Sequence, residues 1–589
     1  MSVPFEPLFV NRARELAEFD ILIEALAEGR RTHLALLGLR RVGKTMLLDE
    51  VRRRHPEAAI AYLALDEIVS TPEDFARALV GEIVRVAGAR RGIVVGPDPA
   101  DDVLLSASQQ LDPDVFAAVD RLVSHMQPAG TRTPSYGALL TATMRFPAVV
   151  SEALDLPLIV MLDELQELTR LRSFPNTDNL LGAVRAALDR RGKVAYVAAG
   201  SRVTALRTLL SDGESPLFTR FQQLDLLPFA EDATHDLATR IWDGDGLNAD
   251  PDAAVRLHRL TGGWPFYVQA VAARTSQLAR GSNEAVTAEL VDEAFWYELV
   301  GRAAAVGQQC RYLLDAALRG DGGGGNGLRN TIEAVLRRMA RGSTSTRTSL
   351  ARSLARHHAP AQVFRAVNRL IDTDFLHEEG GQLALLDPVF ALWLRLEPAR
   401  RDPAAALADS RSRQRMLAWY EAQHAQDREE MGRLFERRVE NLARQFRGQT
   451  VDGHLFGVDG PIRVPITREA GIVRVDDPTG QHGERPETYE VDVVTMGDGP
   501  EDHWAIEAKH RRGAITRLMV ERFLRAAEVV AQARSLRFAR LWIVAPRGVR
   551  ADAAELAREH GVLTSGLRQL ERLERLAAAS FDAALSGDA

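Results

Sequence analysis

The chain has 589 residues, 46% hydrophobic and 26% charged, with a formal net charge of −7, which is typical of a globular protein and excludes a chain that coats nucleic acid through overall positive charge. Its single cysteine, Cys310, excludes an internal disulfide and fits a reducing cytosol. The first residues, "MSVPFEPLFVNRARE", do not resemble a signal peptide, and no apolar run approaches the ~20 residues that span a bilayer.

The first 230 residues predict alternating helices and strands. Helices are expected over 12–30, 44–54 and 72–86, and buried strands over 33–39 and 59–66 and in "LPLIVMLDEL", "VAYVAAGS" and "QQLDLLPF". Residues 91–147 are rich in Pro, Gly and Ser and predict an irregular or partly helical insertion. This alternation favours a mostly parallel sheet with helices on both faces.

The remaining residues predict a helical lid and three further segments. The lid covers 231–310, and "GDGGGGNG" (320–327) is typical of a flexible linker. Short helices and a hairpin turning at Gly380-Gly381 outline a winged helix over 328–400, followed by a helical connector over 401–427. The last domain, 428–589, is expected to hold an opening helix, strands at "ETYEVDVVTM", "DHWAIEAKH" and "FARLWIVAP", and a helix over 514–533.

A phosphate-binding loop is predicted between the first strand and the second helix. "GLRRVGKT" fits G-x-x-x-x-G-K-[ST] in the strand-then-helix context that the motif requires. Its backbone N–H groups would face phosphate oxygens, with Lys44 on the β- and γ-phosphates and Thr45 on Mg²⁺. The residues expected around the nucleotide are Gly38, Arg41, Val42, Gly43, Lys44, Thr45 and Met46.

Further polar residues follow the neighbouring strands. Asp163 would hold Mg²⁺, and Glu164 would orient and polarise the attacking water. "YVAAGSR" places Ser201 or Arg202 near the γ-phosphate as a polar sensor. Arg220 is a candidate transition-state arginine acting on a neighbouring subunit. In a chain this rich in arginine, either arginine can equally be a solvated surface charge.

Lysine is rare in this chain, and its placement is informative. Among the 74 lysines and arginines, the lysines are Lys44, Lys193 and Lys509 alone. Lys44 and Lys509 fall in motifs where arginine should fail, since an ammonium is a compact point charge whose pKa shifts readily. Lys193 is interpreted as an exposed residue before a strand.

The motif around Lys509 is a set of acidic side chains on two strands. Glu490 and Asp492 share one strand face, and Glu507 and Lys509 share a face of the next strand, because side chains alternate with period 2. Adjacent antiparallel strands would bring Asp492, Glu507 and Lys509 together. Two close carboxylates suit Mg²⁺ or Mn²⁺, which would lower the pKa of a bound water. The lysine would orient or deprotonate that water.

Six stretches of the first 400 residues, in order, resemble the archaeal-type P-loop ATPases, relatives of the STAND NTPases within the ASCE class. They are "FVNRARELAEFDILI", "GLRRVGKT", "LIVMLDELQEL", "AAGS", "SPLFTRF" and "LTGGWPFYVQ". The resemblance implies ATP as nucleotide and an adenine pocket near Asn11 and Arg12. It also implies that Gly263 and Pro265 abut the nucleotide. The glutamate usual after the Asn-Arg pair is Ala13 here.

The tail resembles the PD-(D/E)XK nuclease superfamily through D-x₁₄-E-x-K. The resemblance implies a restriction-endonuclease-like α/β fold with metal ligands Asp492 and Glu507. It further implies an acidic residue on the preceding helix, either Glu436 or Glu440. The usual proline before the aspartate is Val491 here.

Two functions follow from these resemblances. The first is an ATP-controlled, metal-dependent DNA nuclease, suited to defence against foreign DNA. The second is a STAND-like switch or DNA-binding regulator whose tail is inert, with its carboxylates in salt bridges to Arg511 or Arg512. The expected recognition helix is "PAQVFRAVNRLIDTD", although winged helices also serve as purely structural lids. Whether the chain forms a homo-oligomer is left open.

Overall fold

The chain divides into two compact units. The computed structural model describes residues 8–68, 70–126, 135–190, 192–211, 215–217, 220–282, 285–319, 326–342, 345–379, 381–477, 480, 487–510, 514–546 and 548–586. The first unit comprises Met1–Ala340, Leu350–His377 and Leu385–Arg413. The second unit comprises Arg341–Ser349, Glu378–Ala384 and Gln414–Ala589.

The first unit is built on the predicted parallel sheet, which is confirmed. Its strands are β1 Leu34–Leu37, β2 Ala59–Ala64, β3 Leu158–Asp163, β4 Val194–Gly200 and β5 Gln222–Asp225. The order is β2-β3-β4-β1-β5, and every neighbouring pair is parallel. Strands β1, β3 and β4 are buried along their whole length, as continuous apolar runs in a doubly covered sheet should be.

Helices surround this sheet. They are α1 Ala13–Ala27, α2 Lys44–Arg54, α3 Leu65–Ile68, α4 Pro72–Arg90, α5 Asp101–Leu111, α6 Pro113–Met126, α7 Tyr136–Leu154, α8 Leu180–Asp189 and α9 Val203–Ser211, with a 3-10 helix over Leu165–Ser173. The insertion at 91–147, expected to be irregular or partly helical, is largely helical in its described residues. Leu104, Val115 and Val119 of α5 and α6 lie in the same apolar core as β2 and β3.

The rest of the first unit is helical, as predicted after residue 231. Its helices are α10 Glu231–Gly244, α11 Pro251–Thr261, α12 Pro265–Ser282, α13 Ala288–Val300, α14 Ala305–Leu318, α15 Asn326–Met339, α16 Arg347–Leu354, α17 Pro360–Asp372, α18 Pro388–Arg395, α19 Glu397–Arg401 and α20 Pro403–Ala408. Strands β6 Ser345–Thr346, β7 Leu376–Glu379 and β8 Gln382–Leu385 follow along the chain; β6, parts of β7 and β8 and the first residues of α16 are counted with the second unit. In the predicted hairpin turn, Gly381 has φ +77°, and Gly380 lies outside the described residues. Residues 320–325 of the predicted linker also lie outside them.

The second unit carries a mixed sheet. One long helix, α21 Ser410–Gln445, leads into strands β9 Thr450–Asp452, β10 Pro461–Arg463, β11 Glu469–Asp477, β12 Glu487–Met496, β13 Trp504–Ala508, β14 Arg540–Val544 and β15 Val562–Ser565. The order is β11-β12-β13-β14-β15, antiparallel for the first two pairs and parallel for the last two. Helices α22 Arg517–Arg534, α23 Ala551–Glu559 and α24 Leu567–Ser586 complete it, with 3-10 helices at Gly453–Phe456 and Pro500–Asp502.

Two apolar layers cover the faces of this sheet. Trp504, Ile506 and Trp542 pack with residues of α21 and α24, including Phe435. Ala505, Ile543 and Val562 pack with α22 and α23 on the other face. Alternate residues of β13 therefore enter opposite cores, which fixes the strand register and the face that each polar side chain occupies.

The division between the units falls at 413/414, inside α21. The sequence placed the start of the tail at residue 428, after a separate connector. A single uninterrupted helix replaces that boundary. No described helix is long and apolar enough to cross a membrane.

Candidate functional site

The phosphate loop joins β1 to α2, and its backbone requires glycine at two positions. A Cβ on Gly38 would approach the Leu226 carbonyl oxygen to 2.8 Å. Gly43, the N-cap of α2, has φ +94°, a conformation that glycine adopts without steric cost. Both motif glycines are thus demanded by the shape of the loop.

Lys44 opens α2 and folds back over the loop. Its Nζ donates to the carbonyl oxygens of Gly38 at 2.9 Å and Leu39 at 3.3 Å. Burial lowers the pKa of Lys44, while the negative charges of Glu164 and Asp163 oppose that effect. The first N–H groups of α2 have no intrahelical partner, so the helix start provides anion-binding donors beside an ammonium.

The two predicted Mg²⁺ ligands are in contact. Thr45 Oγ1 donates to Asp163 Oδ2 at 3.1 Å, and the Tyr62 hydroxyl donates to the same oxygen at 3.2 Å. Burial and the charge of Glu164 raise the pKa of Asp163. Tyr62, on β2, is a positioning residue that sequence reasoning missed, because a tyrosine in a buried strand carries no motif.

Glu164 is held by donors on β4 and on the 3-10 helix. Its Oε2 accepts hydrogen bonds from Ser201 N at 2.8 Å, from Ser201 Oγ at 2.9 Å, and from the Gln166 amide. A Cβ on Gly200 would lie 2.5 Å from Gln166 Oε1, so the glycine of "AAGS" makes room for this amide. Ser201 therefore lies beside the predicted water-polarising carboxylate, and Gln166 is a second partner that the sequence did not indicate.

Backbone strain is concentrated around this loop. Among the described non-glycine residues with positive φ are Asn11, Arg12, Arg41, Glu164 and Asp374. Such conformations cost free energy and gather at functional sites, where the surrounding structure enforces them.

Arg12 supports the loop and is itself fully engaged by protein groups. Its Nη2 donates to the carbonyl oxygens of Val42 at 2.9 Å and Leu227 at 2.7 Å, and its guanidinium lies 4.7 Å from the Phe229 ring centre. Nη1 lies 3.5 Å from Glu15, which supplies the carboxylate that position 13 lacks. Arg12 thus ties the phosphate loop to the segment after β5, and the adenine pocket expected near Asn11 and Arg12 stays a prediction.

The glycine before the lid helix α12 has a packing role. Gly263 has φ +74°, and a Cβ there would lie 2.1 Å from the Phe229 carbonyl oxygen. Its own carbonyl accepts a 2.7 Å hydrogen bond from Phe229 N. Pro265 is the first residue of α12. Gly263 thus allows a close approach between two backbone segments, and the expectation that it abuts the nucleotide stays a prediction. Asn11 is exposed and accepts a hydrogen bond from Arg12 N.

The predicted transition-state arginine lies away from the loop of its own chain. Arg220 pairs with Asp189 at 3.0 Å. It precedes β5, and Asp189 ends α8 just before β4, so both lie at the amino edge of a parallel sheet whose carboxyl edge carries the loop. Arg220 therefore lies away from the loop of its own chain, and its role as a transition-state arginine toward a neighbouring subunit stays a prediction. Arg202, beside Ser201, acts electrostatically on Glu167.

A cleft opens beside the loop within the first unit. It is lined by residues that include Leu39, Arg40, Arg41, Ser201, Trp264 and Asp374. Asp374 follows α17 and accepts hydrogen bonds from Thr204 N and Thr204 Oγ1. The Arg41 guanidinium lies 4.9 Å from the Phe266 ring centre.

In the second unit, Lys509 lies between two carboxylates, as the strand geometry predicts. Strands β12 and β13 are antiparallel, with Val493 opposite Ile506. Lys509 Nζ lies 3.0 Å from Asp492 Oδ2 and 3.0 Å from Glu507 Oε1. Asp492 Oδ2 also accepts a 2.9 Å hydrogen bond from Ala508 N. Asp492 is buried, Glu507 and Lys509 are half-buried, and the three side chains form one charge-assisted cluster.

Burial and charge shift the pKa values of two groups in this cluster. Burial disfavours the Lys509 ammonium, but Glu507 and Asp492 outweigh burial and raise the pKa of Lys509. Burial and the charge of Asp492 raise the pKa of Glu507 to about 7. The two carboxylates therefore favour the charged form of Lys509, and the expectation that Lys509 orients or deprotonates the water stays a prediction.

The remaining acidic candidates occupy different positions. Burial and the charge of Asp492 raise the pKa of Glu436, which places this carboxyl within electrostatic range of the cluster. Glu440 pairs with Arg444 at 2.5 Å, and Glu490 pairs with Arg474. Lys193 pairs with Asp155 at 2.7 Å. Arg511 and Arg512 lie outside the described residues.

A divalent metal fits the donor type of the cluster. Carboxylate oxygens of Asp492, Glu507 and Glu436 are hard ligands of the kind that Mg²⁺ prefers. Among the described residues, however, no group of three or more His, Cys, Asp or Glu is arranged to hold a metal ion. The Lys509 ammonium occupies the space between the two nearest carboxylates and supplies the compensating charge.

The raised pKa of Glu507 predicts a pH-dependent stability. A carboxyl whose pKa rises on folding stabilises the fold below its unfolded value, near 4.5, and this contribution is lost as pH rises through about 7. In EDTA, the free energy of unfolding of wild type should therefore fall by up to about 3 kcal/mol between pH 4.5 and 8, relative to that of Glu507→Gln. Urea unfolding midpoints of both proteins across this range measure the difference, and parallel profiles would contradict it.

Comparisons with known proteins find structural neighbours at low sequence identity. No protein-family model matches the chain, and no curated protein matches it. A Walker-type ATPase of Pyrococcus abyssi aligns over 67% of this chain and 99% of its own, with TM-score 0.45 and 18% identity. The Aeropyrum pernix ORC2 protein aligns over 68% and 98%, with TM-score 0.38 and 14% identity. The Thermotoga maritima RuvB Holliday junction branch migration motor aligns over 64% and 92%, with TM-score 0.32 and 14% identity. At these identities and TM-scores we take no function from them.

Proposed function

We propose that the first unit binds ATP with Mg²⁺ and hydrolyses it. The observation that carries this proposal is the contact between Thr45 and Asp163, which pairs the two predicted Mg²⁺ ligands beside the buried ammonium of Lys44. The loop that precedes them has the glycine-dependent shape of a phosphate cradle. We assign the phosphates to this loop and to the N–H groups of Lys44, Thr45 and Met46.

In this proposal, Glu164 acts on the water. Its carboxylate would accept a proton as the water oxygen attacks the γ-phosphorus, and Ser201 would hold it in place. Mg²⁺ at Thr45 and Asp163 would neutralise charge on the β- and γ-phosphate oxygens. Adenine would lie toward Asn11 and Pro265.

We further propose that the second unit is a PD-(D/E)XK-like, metal-dependent deoxyribonuclease. Support comes from the Asp492, Glu507 and Lys509 cluster on adjacent antiparallel strands. Asp492 and Glu507 would hold Mg²⁺ or Mn²⁺, with Glu436 as third ligand, and the metal would activate water and stabilise charge on a scissile phosphate. Lys509 would orient that water and offset the phosphate charge.

We assign DNA binding to the predicted winged-helix segment. Residues 341–371 contain six arginines and no aspartate or glutamate, in a chain whose net charge is negative. Such a local basic stretch attracts phosphate backbone whatever the total charge. Arg365 on α17, the expected recognition helix, is exposed. A nuclease under ATP control would suit defence against foreign DNA.

The second candidate function is a STAND-like ATPase switch with an inert tail. One observation favours it: both tail carboxylates already bond to Lys509, which makes the cluster self-neutralising without a metal. In that case the cluster contributes to the tail fold alone. Divalent-metal-dependent cleavage of DNA separates the two candidates.

The ATPase proposal is tested by Lys44→Ala. Removal of the ammonium should reduce phosphate release from ATP to background, because the β- and γ-phosphates lose the charge that Lys44 supplies. Added ATP should change the DNA cleavage rate of wild type but not of Lys44→Ala. The matched control is Lys193→Ala, which removes an exposed lysine paired with Asp155 and should turn over ATP normally. Normal turnover by Lys44→Ala would end the proposal.

A further inference from the structure

The phosphate loop carries more positive charge than the motif requires. Arg40 and Arg41 precede Lys44 by four and three residues. The charge of Arg40 acts on both neighbours and lowers the pKa of Lys44 and of Arg41, although burial is the larger cause for each. Like charges held together in a partly buried loop repel, and an anion between them removes that repulsion.

The two arginines differ in how the protein uses them. Arg41 lies over the Phe266 ring, an aromatic contact that offsets its charge. Arg40 Nη1 is buried and has no hydrogen-bond acceptor in the described part of the chain. A guanidinium nitrogen removed from water without an acceptor is costly, so its retention points to a ligand that supplies one.

The position of Arg40 indicates which ligand atom that is. Arg40 lines the same cleft as Ser201, whose backbone and hydroxyl hold Glu164. Glu164 marks the side of the loop from which water would attack, which is the γ-phosphate side. Within one chain, Arg220 lies away from this position and pairs with Asp189 at the opposite sheet edge.

We propose that Arg40 is a catalytic residue that donates to the γ-phosphate oxygens of ATP bound in its own chain. The inference rests on the proposed ATP hydrolysis and deepens it. As the water oxygen bonds to the γ-phosphorus, the bond from that phosphorus to the β–γ bridging oxygen breaks. ADP leaves with the electron pair, and the water proton passes to Glu164. Arg40 stabilises the charge on the equatorial oxygens of the transferred group.

Substitution of Arg40 should weaken only the interactions that the protein makes with the γ-phosphate. Arg40→Ala should lower kcat roughly 10²–10³-fold and weaken binding of a non-hydrolysable ATP analogue, with ADP affinity changed less than about threefold. Arg40→Lys should recover only part of kcat, since an ammonium lacks the planar fork. The control Arg77→Ala removes a half-exposed arginine of α4 that pairs with Asp101 at 3.3 Å, and it should keep kcat within a few-fold of wild type. Equal losses of ATP and ADP affinity, or wild-type kcat in Arg40→Ala, would overturn the inference.

Mixing subunits distinguishes action within one chain from action across a subunit interface. Arg40→Ala retains Lys44, and Lys44→Ala retains Arg40. If Arg40 acts in its own chain, an equimolar mixture has no more activity than the two proteins measured separately. Regained turnover would overturn the inference and assign Arg40 to a neighbouring active site.

Folding and the parent proposal are checked in the same series. Because Arg40 Nη1 has no acceptor among the residues that the structure describes, Arg40→Ala should unfold at a temperature no lower than wild type. A large drop would show that the side chain is structural and overturn the inference. Failure of wild type to hydrolyse ATP would instead defeat the proposed function, and this inference with it. A different result would defeat this inference alone: wild type and Arg40→Ala hydrolyse ATP equally well, and Lys44→Ala does not.

Discussion

Glu164→Gln is expected to bind ATP with near wild-type affinity and to hydrolyse it roughly 10²–10⁴-fold more slowly. Glutamine keeps an amide oxygen that can accept the hydrogen bonds of Ser201 N and Oγ, so the local structure should persist. It cannot accept a proton from the attacking water. Binding of a labelled ATP and single-turnover hydrolysis measure the two quantities separately.

The control for this substitution lies three residues away. Glu167 is also buried and pairs with Arg170 at 2.7 Å, so Glu167→Gln makes the same chemical change next to the site. It should leave the hydrolysis rate within a few-fold of wild type. Normal turnover in Glu164→Gln would reassign the general base, and Asp163 would be the next group to test.

The phosphate loop was predictable because its chemistry is contiguous in sequence. Eight consecutive residues, 38–45, carry the glycines, the lysine and the threonine, and a strand and a helix flank them. Asp163 was predictable for a related reason, since the carboxyl ends of parallel strands meet at one edge. Tyr62 was not, because its hydroxyl reaches Asp163 across paired strands and no spacing in sequence encodes that contact.

In the tail, the alternation of side chains along a strand predicted which residues share a face, but not their protonation. Alternation within β12 and β13 placed Asp492, Glu507 and Lys509 on one face, and the structure brings them together. The protonation of Lys509 depends on two carboxylates at 3.0 Å, a distance that sequence does not give. Strand β15 was missed because four residues, "VLTS", carry too little pattern.

The extent of helix in the insertion could not be predicted from its Pro, Gly and Ser content, because the effect of a proline depends on its position in a helix. Pro113 occupies the first position of α6, where the missing N–H costs nothing. Pro147 lies inside α7 and is buried. Tertiary packing into the core around β2 and β3 outweighs its local cost.

Asp492→Asn and Lys509→Ala are expected to abolish divalent-metal-dependent cleavage of supercoiled plasmid while ATP turnover persists. Asn removes a charged metal ligand. Ala leaves two carboxylates without their cation, so Lys509→Arg is the gentler variant: it keeps the charge but not the compact ammonium that fits between oxygens 3.0 Å away on either side.

These measurements distinguish a variant that has lost nuclease activity from one that has failed to fold. ATP turnover by each tail variant reports a folded chain, and Lys193→Arg repeats the lysine-to-arginine change at an exposed ion pair and should cleave like wild type. Nicked and linear products are measured on gels with Mg²⁺, Mn²⁺ or EDTA. Equal cleavage by wild type, Asp492→Asn and Lys509→Ala would mean that any nuclease activity comes from elsewhere. No cleavage by wild type with either metal, alongside normal ATP turnover, would favour the switch with an inert tail, because the Lys509 cluster would then serve only to neutralise its own carboxylates.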